Sequence, residues 1–387
     1  VVNAGVQVYE AALKVLSDYA NEAANAPVPQ LSLYQDAGVT GLLAGDVPMI
    51  NALLIQKEQA ADGSATTTTG IQAIVNGGLA AIFKLRDAAE SNTATSGGLV
   101  AADYEAVGIL AADIVDIAAL NDALDSVGVT GADVRIYSGL VAVVDAVKQV
   151  HTLADGGSVD AVSTAALSAA DLDAMGVSGV DTATSPEPAK QVARLAILNA
   201  VLDDAAYADV DRVAEVQAIH DAAQAVLRTA QGQTPVVSKA QLGLLGFDLD
   251  NADSDAATPA ITNNNLSAIQ QVLINLNISG GFSALNDFTK LETLVSDAVA
   301  AMAVIEAAAG VDDDSAITTI TDISTFSDMG ITTVTTSGGA AGTANNLATL
   351  KTILAGGGIT GADADSYEDV KAIVDSLNVV FAYAAVS

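Results

Sequence analysis

A short apolar segment that ends in glycine and is followed at once by Val, Ile or Phe returns five times along the chain. The copies run from Tyr34 to Val39, from Tyr104 to Ile109, from Leu172 to Val177, from Leu242 to Phe247 and from Phe326 to Ile331. Their glycines are separated by 70, 68, 70 and 84 residues. A motif that recurs at such a period is typical of repeat proteins, so the sequence predicts an array of one helical module rather than a single globule.

Each module is predicted to contain three helices, which we call first-type, second-type and third-type in chain order. The first-type helix is short and ends at the recurring glycine. Glycine followed by an apolar residue is the sequence form of a Schellman cap, in which the glycine adopts the left-handed conformation and ends the helix. Two second-type helices are predicted to stop at further glycine turns. The predicted structural cap residues are Gly38, Gly108, Gly128, Gly176, Gly246, Gly330 and Gly358.

The third-type helix is the longest and least polar, with Leu140, Val143, Val144 and Val147 at helical spacing in one copy. A helix of this type also opens the chain. The predicted fold is therefore all-α, an array of five short three-helix modules stacked as an elongated repeat or solenoid-like structure. The predicted boundaries are a leading helix at 1–25 and modules at 26–95, 96–160, 161–235, 236–312 and 313–387.

The charge balance restricts the partners of this chain. It has 14 basic and 47 acidic residues, a formal net charge of −33. Such a surface repels phosphates and anionic headgroups, so nucleic-acid binding is not expected. No uninterrupted apolar run reaches the length of about 18 residues that a membrane helix needs, so we expect no membrane insertion. The absence of cysteine excludes disulfides, thiolate metal sites and cysteine nucleophiles.

Acidic clusters are the candidate metal ligands, because Ca²⁺ prefers six to eight oxygen atoms and loops of Asp can supply them. The cluster at 248–255 does not match an EF-hand, because it lacks the required glycine and glutamate. Further acidic clusters lie at 312–314, 203–211 and 363–369. The alternative interpretation is that these carboxylates cap helices and face water. Ca²⁺ is thus the one cofactor that the sequence suggests, with candidate ligands Asp248, Asp250, Asp253, Asp255, Asp312, Asp313 and Asp314.

Catalytic signatures are missing from the sequence. The only histidines are His151 and His220, which fall in different modules, and no Gly-x-Ser-x-Gly elbow is visible. The glycine-rich stretches match no nucleotide-binding motif, because no Lys follows them in the Walker position. We therefore predict that the chain is not an enzyme.

The recurrent turns Gly38 to Gly41 and Gly176 to Gly179, the units rich in Ala, Val, Asp and Thr, and the lack of cysteine resemble one class of proteins. These features are similar to the helical repeat regions of large secreted bacterial surface proteins, including type I secreted adhesins, extracellular filament proteins and surface-layer proteins. The resemblance implies a secreted, extracellular or cell-surface location. The chain lacks the Gly-Gly-x-Gly-x-Asp nonapeptide of calcium-binding adhesins, so the resemblance does not itself imply calcium dependence.

These observations predict an extracellular structural protein whose copies associate with one another into a cell-surface filament, surface layer or biofilm matrix. Open ends of a repeat array favour head-to-tail association. The chain opens without Met, which is typical of a processed chain or of part of a longer one. One alternative is an adhesin module that binds a surface glycan through its variable loops. Another is an enzyme of a salt-loving organism, which would explain the excess of acidic residues in this chain.

Overall fold

The computed structural model describes residues 4–22, 26–59, 64–154, 156, 166–180, 188–249, 260–278, 285–309, 320–336, 346–356 and 358–384. Within these residues the regular structure is helical, with sixteen α-helices and no β-strand, so the all-α prediction is confirmed. The helices are α1 (Ala4–Glu22), α2 (Leu31–Asp36), α3 (Val47–Gln59), α4 (Thr68–Ser91), α5 (Ala101–Glu105), α6 (Ile117–Leu124), α7 (Tyr137–Leu153), α8 (Ala169–Ala174), α9 (Pro188–Asp204), α10 (Val213–Thr229), α11 (Lys239–Leu244), α12 (Asn263–Ile278), α13 (Phe288–Ala308), α14 (Ser324–Ser327), α15 (Asn346–Ala355) and α16 (Tyr367–Ala384).

Helix lengths recur in a regular order after α1. A helix of four to six residues is followed by one of intermediate or greater length and then by one of at least 17 residues. The short first-type helices are α2, α5, α8, α11 and α14. The second-type helices are α3, α6, α9, α12 and α15, and the third-type helices are α1, α4, α7, α10, α13 and α16.

Each first-type helix ends at a glycine in the left-handed conformation. The φ angles are 77° for Gly38, 95° for Gly108, 91° for Gly176, 87° for Gly246 and 93° for Gly330. The N–H of the residue after the glycine donates to the carbonyl five residues earlier, and the glycine N–H donates to the carbonyl three residues earlier. These two bonds define the Schellman arrangement, which satisfies carbonyls that the end of a helix leaves open. The five longer bonds are Val39 to Tyr34 (2.9 Å), Ile109 to Tyr104 (3.2 Å), Val177 to Leu172 (2.9 Å), Phe247 to Leu242 (3.2 Å) and Ile331 to Phe326 (2.8 Å).

The residues that accept these bonds anchor the core. The side chains of the five residues whose carbonyls accept these bonds are fully buried: Tyr34, Tyr104, Leu172, Leu242 and Phe326. The residue just before each glycine is also buried, namely Ala37, Val107, Met175, Leu245 and Met329. A helix this short has little intrinsic stability in water, so burial of two side chains per turn is what holds it in place.

Side-chain caps start several first-type helices. Ser168 accepts from the N–H of Asp171 while the Asp171 carboxylate accepts from the N–H of Ser168, which is a capping box. Ser238 and Gln241 form the same arrangement at α11. These helices are therefore fixed at both ends, by a polar side chain at the start and by glycine at the finish.

The chain forms two compact units. One comprises Val1–Ala183 and Leu202–Gln217, and the other comprises Thr184–Val201 and Ala218–Ser387, so α9 and α10 each contribute to both. In the first unit α7 packs against α6 and α8, and in the second α13 packs against α12, α14 and α15. Each unit is larger than one predicted module, and the predicted module boundaries stay predictions.

Gly128 and Gly358 have a different geometry from the other five glycines, since neither has φ in the left-handed range. Helix α6 ends at Leu124 with Asp125 as its C-cap, and Gly128 lies three residues beyond that cap. A Cβ on Gly128 would lie 2.5 Å from the carbonyl oxygen of Gly176. Gly128 therefore permits a close backbone approach, and no atom lies within 4 Å of a Cβ placed on Gly358.

The left-handed caps lead to a test with matched glycines in the second unit. In Gly246→Ala the new methyl meets no atom within 4 Å, so we expect only the cost of the left-handed conformation, about 1–2 kcal/mol. In Gly330→Ala it would lie 2.8 Å from the Cγ of Gln271, so the loss should be roughly 1 kcal/mol greater. Urea unfolding followed by circular dichroism measures both.

The control for this test is Gly77→Ala, in the interior of α4. Gly77 has ordinary helical geometry and open space around its missing side chain, so alanine there should stabilise the protein by about 0.5–1 kcal/mol. Equal effects at Gly246 and Gly77 would contradict the role assigned to the left-handed cap.

Candidate functional site

A buried Tyr–Asn pair occurs twice with the same spacing. The hydroxyl of Tyr34 donates to Oδ1 of Asn51 at 2.5 Å, and the Asn51 amide donates to the carbonyl of Pro29 at 3.2 Å. Seventy residues later Tyr104, Asn121 and Leu99 repeat these contacts at 2.8 and 3.0 Å. Burial raises the pKa of both phenols, so each tyrosine remains a neutral donor. The pair ties a second-type helix to the first-type helix and to the segment before it.

A related contact occurs in the second compact unit. The side-chain amide of Gln270, in the second-type helix α12, donates to the carbonyl of Val237 at 2.7 Å. Val237 lies five residues before Leu242, just as Pro29 and Leu99 lie five residues before their tyrosines. The N–H of Val237 donates in turn to the buried hydroxyl of Thr229 at 2.6 Å. A side-chain amide thus fixes the same backbone position in three places.

Glutamine side chains hold the turn that follows two of the capping glycines. The N–H of Thr40 donates to Oε1 of Gln72 at 2.8 Å, and Nε2 of Gln72 donates to the carbonyl of Thr40 at 3.0 Å. Ser178 and Gln217 form the same reciprocal pair at 2.7 and 3.3 Å. Because the amide satisfies both backbone groups of one residue, the turn is fixed against a third-type helix.

The capping glycines also contact the preceding second-type helix. The carbonyl of Gly108 accepts from Nε2 of Gln56 at 2.8 Å, and a Cβ on Gly108 would lie 3.1 Å from that of Ala52. The carbonyl of Gly330 accepts from Nδ2 of Asn275 at 2.9 Å. The missing side chain therefore lets helix α3 or α12 approach the next cap closely.

The Tyr104–Asn121 pair gives a double-mutant test. Tyr104→Phe removes one hydrogen bond and should cost about 1 kcal/mol, whereas Asn121→Ala leaves a buried phenol and a buried carbonyl unpaired and should cost about 2–4 kcal/mol. Because the two side chains bind each other, the double variant should lose less than the sum, by roughly 1 kcal/mol. Urea unfolding measures the four proteins. Asn76→Ala, at an exposed position of α4, is the control, and strict additivity would contradict the coupling.

The favoured calcium ligands lie mostly outside the described residues. Only Asp248 falls within them; Asp250, Asp253, Asp255, Asp312, Asp313 and Asp314 do not. Across the ranges that the structure does describe, no group of three or more His, Cys, Asp or Glu side chains is arranged to hold a metal ion. Binding of Ca²⁺ at the favoured clusters stays a prediction.

Two carboxylates of the acidic cluster at 363–369 form hydrogen bonds with neighbouring residues of the chain. Asp363 accepts from the N–H and the hydroxyl of Thr360 at 2.8 and 2.6 Å, and these bonds lower the pKa of its carboxyl group. Asp369 accepts from the hydroxyl of Ser366 at 2.5 Å, at the start of α16. These carboxylates serve as caps for turns and helices, which is the alternative that the sequence left open.

Further acidic residues stabilise loops at a distance in sequence. Asp125 accepts from the N–H groups of Ala94 and Thr95 at 2.5 and 2.9 Å, and Asp122 accepts from the N–H of Val213 at 2.8 Å. Each of these bonds lies within the first compact unit. These bonds could not be predicted from local sequence patterns, because the bonded residues are about 30 to 90 positions apart.

The two histidines lie in different environments. His151 is exposed, and its ring lies 4.4 Å from that of Tyr207. His220 is fully buried, and among the described residues its Nε2 has no hydrogen-bond partner. Burial and the positive charge of Arg194 lower the pKa of His220, and only the adjacent Asp221, 3.3 Å away, opposes that shift. His220 is therefore a neutral core residue.

Two surface grooves occur in the first compact unit. One, of about 590 Å³, lies between α3, α4 and α5, and Gly78, Lys57 and Glu105 are among its lining residues. The other, of about 420 Å³, lies between α1, α2 and α3 and is lined in part by Tyr19, Pro29 and Leu31.

Exposed large apolar side chains occur in groups on two third-type helices, α1 and α16, and singly as Phe83 on α4. On α1 these are Val6, Val8 and Tyr9. On α16 they are Val379, Val380 and Tyr383. Since apolar side chains clustered on an exposed helix face mark contact surfaces, these faces are the candidate interaction sites of the chain.

None of the described helices is long and apolar enough to cross a membrane. Comparisons with models of protein families, with curated proteins and with solved structures find no match. The proposed function therefore rests on the sequence and the structure of this chain.

The buried His220 makes stability depend on pH. Its pKa lies below the ordinary value of 6.5 in the folded protein, so the unfolded chain binds more protons as the pH falls below about 6.5. We expect its contribution to stability to be present above that pH and to decrease below it. His220→Gln should flatten the wild-type decrease in thermal midpoint between about pH 7 and 5, while the exposed control His151→Gln should leave it unchanged. Equal pH profiles for wild type and His220→Gln would contradict this role.

Proposed function

We propose that this protein is an extracellular structural protein whose copies associate with one another into a filament, surface layer or matrix at the cell surface. The observation that carries the proposal is the recurrence of one junction. Five short helices end in the same left-handed glycine cap with the same pair of backbone bonds. A chain that repeats one structural joint, and whose sequence has no catalytic motif, has the design of a scaffold.

The module array is part of this proposal. Helix order supports it, because first-type, second-type and third-type helices follow one another five times after α1. Contacts support it too, because third-type helices pack on the next first-type helix in α1 with α2, α4 with α5, α7 with α8, and α13 with α14. The proposed array is elongated or solenoid-like.

Self-association has support from the exposed helix faces. Val6 and Tyr9 on α1 and Val380 and Tyr383 on α16 present apolar surface to water. The net charge of −33 opposes contact between copies, and this repulsion weakens when salt screens it or cations bind. Association is therefore expected to strengthen as ionic strength rises.

The amino-acid composition supports the proposed class of secreted structural protein, in addition to the resemblance to bacterial surface proteins. A chain without cysteine suits a secreted protein, because it has no thiol that could form a wrong disulfide in the oxidising environment outside the cell. The two histidines are 69 residues apart in the sequence and no catalytic motif is visible in it, so a role other than catalysis is proposed. Copies of this chain are the proposed partner.

The test is negative-stain electron microscopy together with size-exclusion light scattering at about micromolar concentration, in calcium and in chelator, at low and high salt. Ordered filaments or sheets are the expected result. If they disappear in chelator and neither high salt nor magnesium restores them, the acidic loops act as calcium sites. Monodisperse monomers in every condition would contradict self-association and favour the adhesin alternative, with a glycan as ligand.

A further inference from the structure

Helix α10 carries a histidine on its buried side, in the part of the helix that belongs to the second compact unit. His220 is 0% exposed. Ala223 and Leu227 follow it at three and seven positions on the same side of the helix, and both are buried as well. The ring of His220 is therefore enclosed by the apolar core of that unit and has no direct access to water.

The two ring nitrogens of His220 differ in their surroundings. Nδ1 lies 3.3 Å from Oδ1 of Asp221, whose side chain is 56% exposed. Nε2 has no hydrogen-bond partner among the described residues. The neutral ring fits this arrangement with its hydrogen on Nδ1, because Nε2 then has no hydrogen to donate. A second proton would give Nε2 a hydrogen that finds no acceptor in the core, which is costly.

A second basic side chain acts on the same ring. Arg194 lies on α9, is 9% exposed and belongs to the same compact unit. Among the described residues, Arg194 and Asp221 are the charged groups that act on His220. Burial and then the positive charge of Arg194 lower the pKa of His220, and the largely exposed Asp221 opposes them only in part. A charged His220 is thus disfavoured where it lies.

The histidines set the effect of mild acid on the two compact units. Histidine is the side chain whose ordinary pKa lies between pH 5 and 8. The histidine of the first compact unit, His151, is exposed, so it can accept a proton without leaving the core. In the second compact unit the histidine has to leave the core before it can bind a proton freely. Mild acid therefore favours opening of the second unit.

Carboxylates with shifted pKa values do not change this conclusion. Burial, and then neighbouring carboxylates, raise the pKa of Asp145 in the first unit and of Asp328 in the second. A carboxyl group with a raised pKa binds more protons in the folded protein, so it adds stability as the pH falls. Carboxyl groups with a lowered pKa lose their contribution only near and below about pH 4, and these are Asp103, Asp322 and Asp363.

The end of α10 is linked to the helices that follow it by hydrogen bonds within the second unit. The buried hydroxyl of Thr229 accepts from the N–H of Val237 at 2.6 Å. The carbonyl of Val237 accepts from the side-chain amide of Gln270, on α12, at 2.7 Å. If α10 moves, the N–H of Val237 loses its buried partner. Exchange of this N–H therefore reports movement of α10.

From the burial of His220, its unpartnered Nε2 and the neighbouring charge of Arg194, we infer that mild acid opens α10 in the second compact unit while the first compact unit stays folded. Opening moves the ring of His220 into water, where it takes up a proton. It also exposes Leu227 and releases the N–H of Val237. The opening needs no second copy of the chain, so it is independent of the proposed self-association.

The test is amide hydrogen exchange of the full-length protein at pH 7.5 and pH 5.0, at one salt concentration. Protection factors correct for the intrinsic exchange rate at each pH. A histidine that is neutral when buried and has its ordinary pKa when opened raises the opening constant by up to about thirtyfold between these pH values. We expect protection at 218–229 and at Val237 to fall by between about fivefold and thirtyfold. Helices α4 and α7 of the first unit should keep their protection.

Two outcomes in the wild-type protein would overturn the inference. One is unchanged protection at 218–229 in acid. The other is an equal loss of protection in α4, α7 and α10, because acid would then unfold both units together. Neither outcome bears on self-association, which light scattering measures separately.

Three variants assign the opening to the buried ring. His220→Gln stays neutral at both pH values, so its ratio of protection at pH 7.5 to that at pH 5.0 should be close to one. His151→Gln is the matched control and should keep the wild-type ratio. Arg194→Gln removes the neighbouring positive charge and should give a smaller ratio than the wild type. Each ratio compares one protein with itself, so a variant that is less stable at both pH values still gives a result. A wild-type ratio in His220→Gln would overturn the role of the ring.

Discussion

The rest of this structure depends on the left-handed glycine that ends each first-type helix. Its positive φ lets the next N–H reach back to the carbonyl five residues earlier, which reverses the chain and buries residues such as Tyr104 and Val107 together. The missing side chain then lets a second-type helix approach, and the Gly108 carbonyl accepts a bond from Gln56. One backbone conformation thus sets a helix end, a core anchor and a contact between elements.

Polar side chains cap the helix starts and loops that the glycines leave open, and this role accounts for some of the acidic residues. Asp171, Asp363 and Asp125 each accept bonds from backbone N–H groups that helix starts and loops would otherwise leave open. The remaining carboxylates give the surface its strong negative charge. Two copies of such a chain repel one another at low salt, so contact between them has to come from apolar surface.

The sequence predicted what depends on local chemistry. The spacing of glycines and apolar residues was sufficient to predict the all-α class. The N-caps Ser168 and Ser238 follow a local pattern too, because a serine and the residue three positions later cap each other. Contacts between distant polar groups could not be predicted from the sequence, because no local pattern links Asn121 to Tyr104 or Gln72 to Thr40. The glycine pattern also did not predict the backbone geometry at Gly128. Glycine is needed there because of close packing on Gly176, not because of a positive φ.

Third-type helices have the same kinds of neighbour in both compact units. Helices α4, α7 and α13 each pack against the second-type helix before them and against the first-type helix after them. The first-type helix in each of these contacts ends at a left-handed glycine. Because the same cap is followed by the same kinds of contact, one local arrangement is sufficient to build several parts of the core, which is the physical basis of a repeat protein.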